Sequence, residues 1–245
     1  MNKPASQSRW QERISEGLVI VVSILFAFAI DALWDERQER LEEQEVLAAL
    51  LVEFLLNRTE AAKVIESHEL GRLRVAVLAQ MTAADASALS SDEADEILVA
   101  IANPRTFGPI RGTVDSLIGG GQLNIIQDRR LRESLIAFIN LSDDVVEDVA
   151  ILFQWSTMIW VALDRHGGPW RTGDEDLLGK EGLELGDFSF IPRIAAENIS
   201  RIRGDSDLMG LILRYQINAA HYTSEVRHVA AKIDEILALL EAQSR

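Results

Sequence analysis

The hydrophobic pattern begins with an unbroken run. Leu18 to Ile30, LVIVVSILFAFAI, holds thirteen residues without a charge. Gly17, Ala32, Leu33 and Trp34 extend it to eighteen, with Asp31 the only charge inside. A helix needs about 20 apolar residues to cross a bilayer, so residues 17–34 predict a transmembrane helix behind a short arm, residues 1–16. Trp10 and Trp34 lie 24 residues apart, about 36 Å along a helix. That is close to the separation of the interfacial belts where tryptophan is enriched. Asp31 falls one turn inside the Trp34 belt, where a carboxylate reaches the headgroups and costs far less than at mid-bilayer.

Two other patterns fit the same stretch. A basic start, an apolar core and Ala27-Phe28-Ala29 make a cleavable signal, with a mature start at Ile30. Thirteen apolar residues also suit a buried soluble helix. Against cleavage, no glycine or proline breaks the helix before the site, and the helical pattern runs straight on through Asp31. The expectation is an uncleaved anchor. Lys3, Arg9 and Arg13 on one side outweigh Arg37 and Arg40 on the other, so the positive-inside bias places the N-terminus in the cytoplasm and the body outside. This predicts a single-pass inner-membrane protein that meets the lipid bilayer through residues 17–34. Ser23 and Ala27 form a small-xxx-small pair that could seat a second helix.

After Trp34 the pattern turns polar on every side. Residues 35–45 read as an acidic helical stalk held by i,i+4 pairs such as Glu36–Arg40. From Val46 an i, i+3, i+4 stripe takes over, through Leu47, Leu50, Leu51, Phe54, Leu55, Ala61, Ala62 and Ile65, which marks entry into a helical bundle, residues 46–245. Ser90 and Glu93 make a capping box. Asn103-Pro104 stops that helix, and Gly108, Pro109 and Gly112 extend the break. A short helix, TVDSLI, ends in Gly119-Gly120-Gly121, and Asp128 is the expected N-cap of the next helix. Helical pattern then continues from about Asp143 to Arg165. The stretch HGGPWRTGDEDLLGKEGLELGDFSFIP is irregular, and a short helix follows near Ile194–Ile202. In the last helix Leu208, Tyr215, Tyr222, Val229 and Ile236 recur every seven residues, as do Ile212, Ala219, Val226, Ile233 and Leu240. This a/d pattern suits a coiled coil or an intramolecular bundle, and its tyrosines favour packing on the long N-terminal helix. The fold class is therefore all-α: an N-terminal transmembrane helix, a long stalk helix and an antiparallel helical bundle.

Composition narrows the function. The net charge is −15 over 245 residues. An acidic body of this kind repels phosphate backbones, which argues against nucleic-acid binding. There are no cysteines, so disulfides, thiolate nucleophiles and Cys-ligated metals are excluded.

VIVVSILFAFAIDALWDERQER resembles the opening of an uncharacterised bacterial family of single-pass membrane proteins, in which an aliphatic span runs into a polar residue, a tryptophan and an acidic–arginine stalk. TVDSLIGGGQLNIIQDRRLRESLIAFI is similar to a second block of that family, through Thr113, Leu117, Gly119, Gly120, Gly121, Gln122, Leu123 and Asp128. Val114 departs from it, standing where the family tends to have an aromatic. The resemblance covers about fifty residues. It implies an uncleaved anchor and brings no assigned chemistry.

No motif carries a reaction. The glycine triplet lacks the Lys-Ser/Thr of a phosphate loop and reads as a helix end with glycines at positive φ. His221 and His228, with Glu225 between them, form neither an HxxxH nor an HExxH pair, a weak basis for metal. Asp164 and His166 beside GGPW could pair as acid and base near Ser156, yet nothing in their spacing links them. A loop bearing Trp170 equally suits a partner contact. The expected function is a non-enzymatic, membrane-tethered interaction or scaffold module of the cell envelope, without cofactor. It would self-associate or bind a protein partner through the bundle. A sensor-like ligand-binding bundle and a tethered hydrolase are the alternatives. Sensors normally return through a second span to an output domain, and this sequence ends on LLEAQSR with neither.

Overall fold

The computed structural model describes the backbone of residues 6–102, 104–166 and 196–243. It describes their side chains too, except for 6–21, a few positions between 83 and 102, and 166, 196 and 197. Among these residues the fold is all-α, with no strand. Its elements are α1 (Ser6–Gln80), α2 (Ala83–Ser87), α3 (Ser91–Ala102), α4 (Gly112–Gly119), α5 (Arg129–Leu163), α6 (Ala196–Gly204) and α7 (Ser206–Gln243).

α1 is one unbroken helix of 75 residues, about 110 Å long at 1.5 Å per residue. No proline interrupts it. Every residue from Val22 to Glu42 is exposed; burial starts beyond that point, and Leu50 and Phe54 are fully enclosed. The expected transmembrane helix over residues 17–34 is not established by the described residues, among which no helix is long and apolar enough to cross a membrane. Described side chains begin at Val22, inside the apolar run, and Asp31, Asp35, Glu36 and Arg37 follow within the next fifteen residues. Trp10 lies outside them.

Four legs build the bundle. α3 runs antiparallel to α1, with Arg74 donating to Glu96 at 2.7 Å and Gly71 packed on Ala100. The same leg continues downward as a non-helical segment, residues 104–111, and then as α4. At the base the Gln127 N–H donates to Glu43 at 2.6 Å. α5 climbs parallel to α1. α7 descends antiparallel to both: Ser134 donates to Glu235 at 2.8 Å near one end, and Arg214 stacks over Trp155 towards the other. The order is up, down, up, down, with the second leg broken in its middle.

The ends are held by side chains. Thr82 with Asp85, and Ser90 with Glu93, form reciprocal capping boxes. Asp128 caps α5 by accepting from Arg130 and Leu131 N–H at 2.7 and 3.0 Å. α4 ends in a Schellman turn, in which Gln122 N–H reaches the Leu117 carbonyl and Gly121 N–H the Ile118 carbonyl. Only Gly121 needs the left-handed region, at φ 66°; Gly119 still belongs to the helix and Gly120 is right-handed. The expectation of positive φ thus narrows to one glycine of three.

All ten heptad residues of α7 are buried. They pack on α5 and α1 within the same chain, so this seam is not available for self-association. The apolar stripe of α1 proves narrower than its sequence suggests. Leu55 and Ala62 face outward, while Glu53 and Asn57 face inward. Gly71 offers a direct check. A Cβ there would meet Ala100 at 3.6–3.9 Å, ordinary contact distance. Gly71→Ala is expected to stabilise the fold by up to about 1 kcal/mol, through lower chain entropy when unfolded, and a thermal melt reads the gain.

Candidate functional site

A backbone that leaves helical geometry inside a bundle loses its own hydrogen-bond partners, and buried groups must find others. Residues 104–114 solve this with side chains from α1 and α7. Asn57, fully buried, grips Ile110 at both ends: its Nδ2 donates to the Ile110 carbonyl at 2.7 Å and its Oδ1 accepts the Ile110 N–H at 2.8 Å. One turn earlier, buried Glu53 accepts from Thr113 N–H at 2.7 Å and from Val114 N–H at 3.5 Å, capping α4 from outside its own sequence. Tyr222 on α7 accepts the Phe107 N–H at 2.7 Å. His68 reaches the Arg105 carbonyl at 2.8 Å, and its ring stands 5.5 Å from that of Tyr222. Glu60 adds an ion pair to Arg105 at 3.7 Å.

The α1 members follow from register. Positions 50, 54, 57, 61, 64 and 68 share one face of a helix. Leu50, Phe54, Ala61 and Val64 make that face apolar and buried, so Asn57 enters the core between them. Glu53 and Glu60 lie beside it. This polar row was absent from the sequence reading. Its signal was the gap between Leu55 and Ala61 in the stripe, where a polar residue occupies a core position.

A carbonyl can only accept, so His68 Nε2 carries a proton. Burial pushes the His68 pKa below its ordinary 6.5, and the Arg105 carbonyl opposes this more weakly. The folded chain thus binds fewer protons at this site than the unfolded chain between the lowered value and 6.5. Stability contributed here is present above pH 6.5 and is lost as pH falls through the folded value. His68→Gln keeps a donor without a titration, so its stability is expected to stay flat across that window while the parent declines. Denaturant midpoints at pH 7.5 and in steps below 6.5 check the difference.

The other sequence candidates do not converge. His221 lies 3.6 Å from Asp148 and His228 lies 3.4 Å from Glu225; both imidazoles are mostly exposed. No group of three metal-capable side chains occurs among the described residues. Ser156 is buried, whereas Asp164 is exposed. The His166 side chain and Trp170 lie outside the described residues. Val114 is fully buried against the bundle, so an aromatic there would need more room. The cavities are small beside His68, about 80 Å³ between His68, Arg72 and Gln216, and about 40 Å³ next to it. An open cleft of about 570 Å³ lies where the rod enters the bundle, between Arg40, Glu43, Leu47, Gln127 and Gln243. Drug-sized ligands occupy pockets of roughly 300–1,000 Å³ that enclose most of their surface. The two small cavities fall short of that volume, and the cleft is open.

These features define an all-α bundle whose second leg is non-helical in its middle and pinned there by side chains of its neighbours. Comparison with protein-family models, with curated proteins and with solved structures finds no match to this chain.

Proposed function

We propose that this chain is a single-pass, membrane-tethered helical interaction module of a bacterial envelope. In this reading residues 17–34 lie in the inner membrane, the N-terminus is cytoplasmic and the bundle is extracytoplasmic. The resemblance of the opening residues and of the Thr113–Asp128 block to a single-pass membrane family belongs to the same proposal.

One observation carries it. α1 continues without a break from the apolar run into the bundle, and its first described side chains have no cover. Val22, Ile24, Leu25, Phe26, Phe28 and Ile30 are each at least 50% exposed. Contiguous apolar surface of that size marks contact with lipid or protein. The run's thirteen residues, the flanking Trp10 and Trp34, and the basic N-terminal arm favour lipid. Asp31 then sits where the helix meets the headgroups, and residues 35–45 hold the bundle off the membrane.

Fractionation tests the reading. The full chain is expected in the membrane pellet and resistant to alkaline carbonate, and deletion of residues 1–34 should move it to the supernatant. A soluble full-length chain overturns the anchor, as does a mature N-terminus at Ile30. A C-terminal reporter active only in the cytoplasm should stay silent; activity would reverse the topology.

A further inference from the structure

The outer side of α1 carries a second apolar face, opposite to the one that builds the core. Trp34, Leu41, Val52, Leu70, Leu73 and Val77 are 44–69% exposed. At 100° per residue they fall within about 40° of one line along the helix. Exposed Ala27 and Ala48 lie on the same line, as does Ser23, so the small-xxx-small pair of the apolar run continues directly into it. Leu41 is the sole apolar residue between Asp35 and Glu45, and it falls on this face.

We infer that this face is where two copies of the chain pack against each other, parallel and in register along α1. The inference rests on the anchor reading, because a membrane orients both copies alike. Charge selects a second copy as the occupant. The whole chain carries −15, and residues 31–45 hold seven acids against two arginines. Yet the charged positions on this line are Arg37, Glu45, Lys63 and Glu66, two of each sign. Two such faces meet without the net repulsion that the side of the stalk bearing Asp31, Asp35, Glu39, Glu42 and Glu43 would impose. Area agrees. From Trp34 to Val77 the face is about 65 Å long, and a strip as wide as a helix, about 10–12 Å, gives roughly 700 Å² per copy. A standard stable interface buries about 800 Å² per partner. The α7 heptads cannot serve instead, since they are buried within the chain.

The absence of cysteine makes the test clean. Leu41→Cys, Val52→Cys and Leu70→Cys are introduced singly into the full chain. Membranes are treated with a mild oxidant and run on non-reducing gels. Each variant should give a disulfide-linked species at twice the 27.3 kDa monomer mass, several-fold more than Glu39→Cys on the opposite side of the stalk. Yields no higher than Glu39→Cys at all three positions overturn the inference. So does cross-linking found only in mixtures of Leu41→Cys with Val77→Cys, which reports an antiparallel pair. Pelleting of the same samples reads the anchor separately: membrane-bound chain without dimer defeats the pairing alone, and soluble chain defeats the anchor.

Discussion

Replacing Asn57 by leucine is expected to destabilise the bundle by about 2–3 kcal/mol, because a polar group that loses its partner costs roughly 1–3 kcal/mol when buried, two part-buried groups lose theirs together, and each falls near the low end. Both are on Ile110, its N–H and its carbonyl. Leucine fills the space and keeps water out. Asn57→Ala should cost less, since the smaller side chain leaves room for a bridging water. Asn57→Asp separates the two bonds. It retains the acceptor for the Ile110 N–H but sets a carboxylate oxygen against the Ile110 carbonyl. Only the protonated acid restores the pair, so this variant should gain stability relative to the parent as pH falls. Denaturant titration in mild detergent measures all three. Equal losses for leucine and alanine, with no pH trend for aspartate, would show that Asn57 merely fills volume.

That clamp also marks the limit of what the sequence discloses. The helix breaks at Asn103-Pro104 and at Gly108, Pro109 and Gly112 were legible, because proline and glycine act locally. Where the broken chain goes was not. Nothing local states that residues 104–111 remain a leg of the bundle, since the groups that hold them there, Asn57, His68 and Tyr222, stand 37 to 115 residues from their partners. The ten heptad positions of the α7 core were legible, because apolar residues in two interleaved series leave one inward face, whereas buried Thr223 and Leu237 stand outside both series. The α1 core was partly legible. That helix has apolar residues on two faces, so Leu55 and Ala62 read as core although they face outward, and the polar residues truly inside were passed over. The histidine pair failed for a related reason. Seven-residue spacing puts His221 and His228 on one side of α7, but each turns to a different carboxylate at the surface.

Phe54→Ala is expected to cost about 3–5 kcal/mol, the range for removing a buried aromatic ring and leaving a cavity. Phe54 and Phe138 are both fully buried. Their centroids are 4.8 Å apart at 63°, edge to face, and they join the two parallel legs α1 and α5 one turn from the Asn57 clamp. Against a typical total of about 5–15 kcal/mol, the loss brings the bundle close to unfolding at ordinary temperature. A double-mutant cycle with Phe138→Ala isolates the ring pair, with a coupling of about 0.5–1.5 kcal/mol. Additive losses would mean that the rings are independent core fillers. The same variants separate bundle from tether. No residue from Val22 to Glu42 is buried, so this part of α1 takes no support from Phe54. Loss of the bundle should therefore remove the cooperative unfolding transition and leave membrane pelleting unchanged. Release from the membrane together with unfolding would instead show that the bundle, rather than the apolar run, holds the chain to the bilayer.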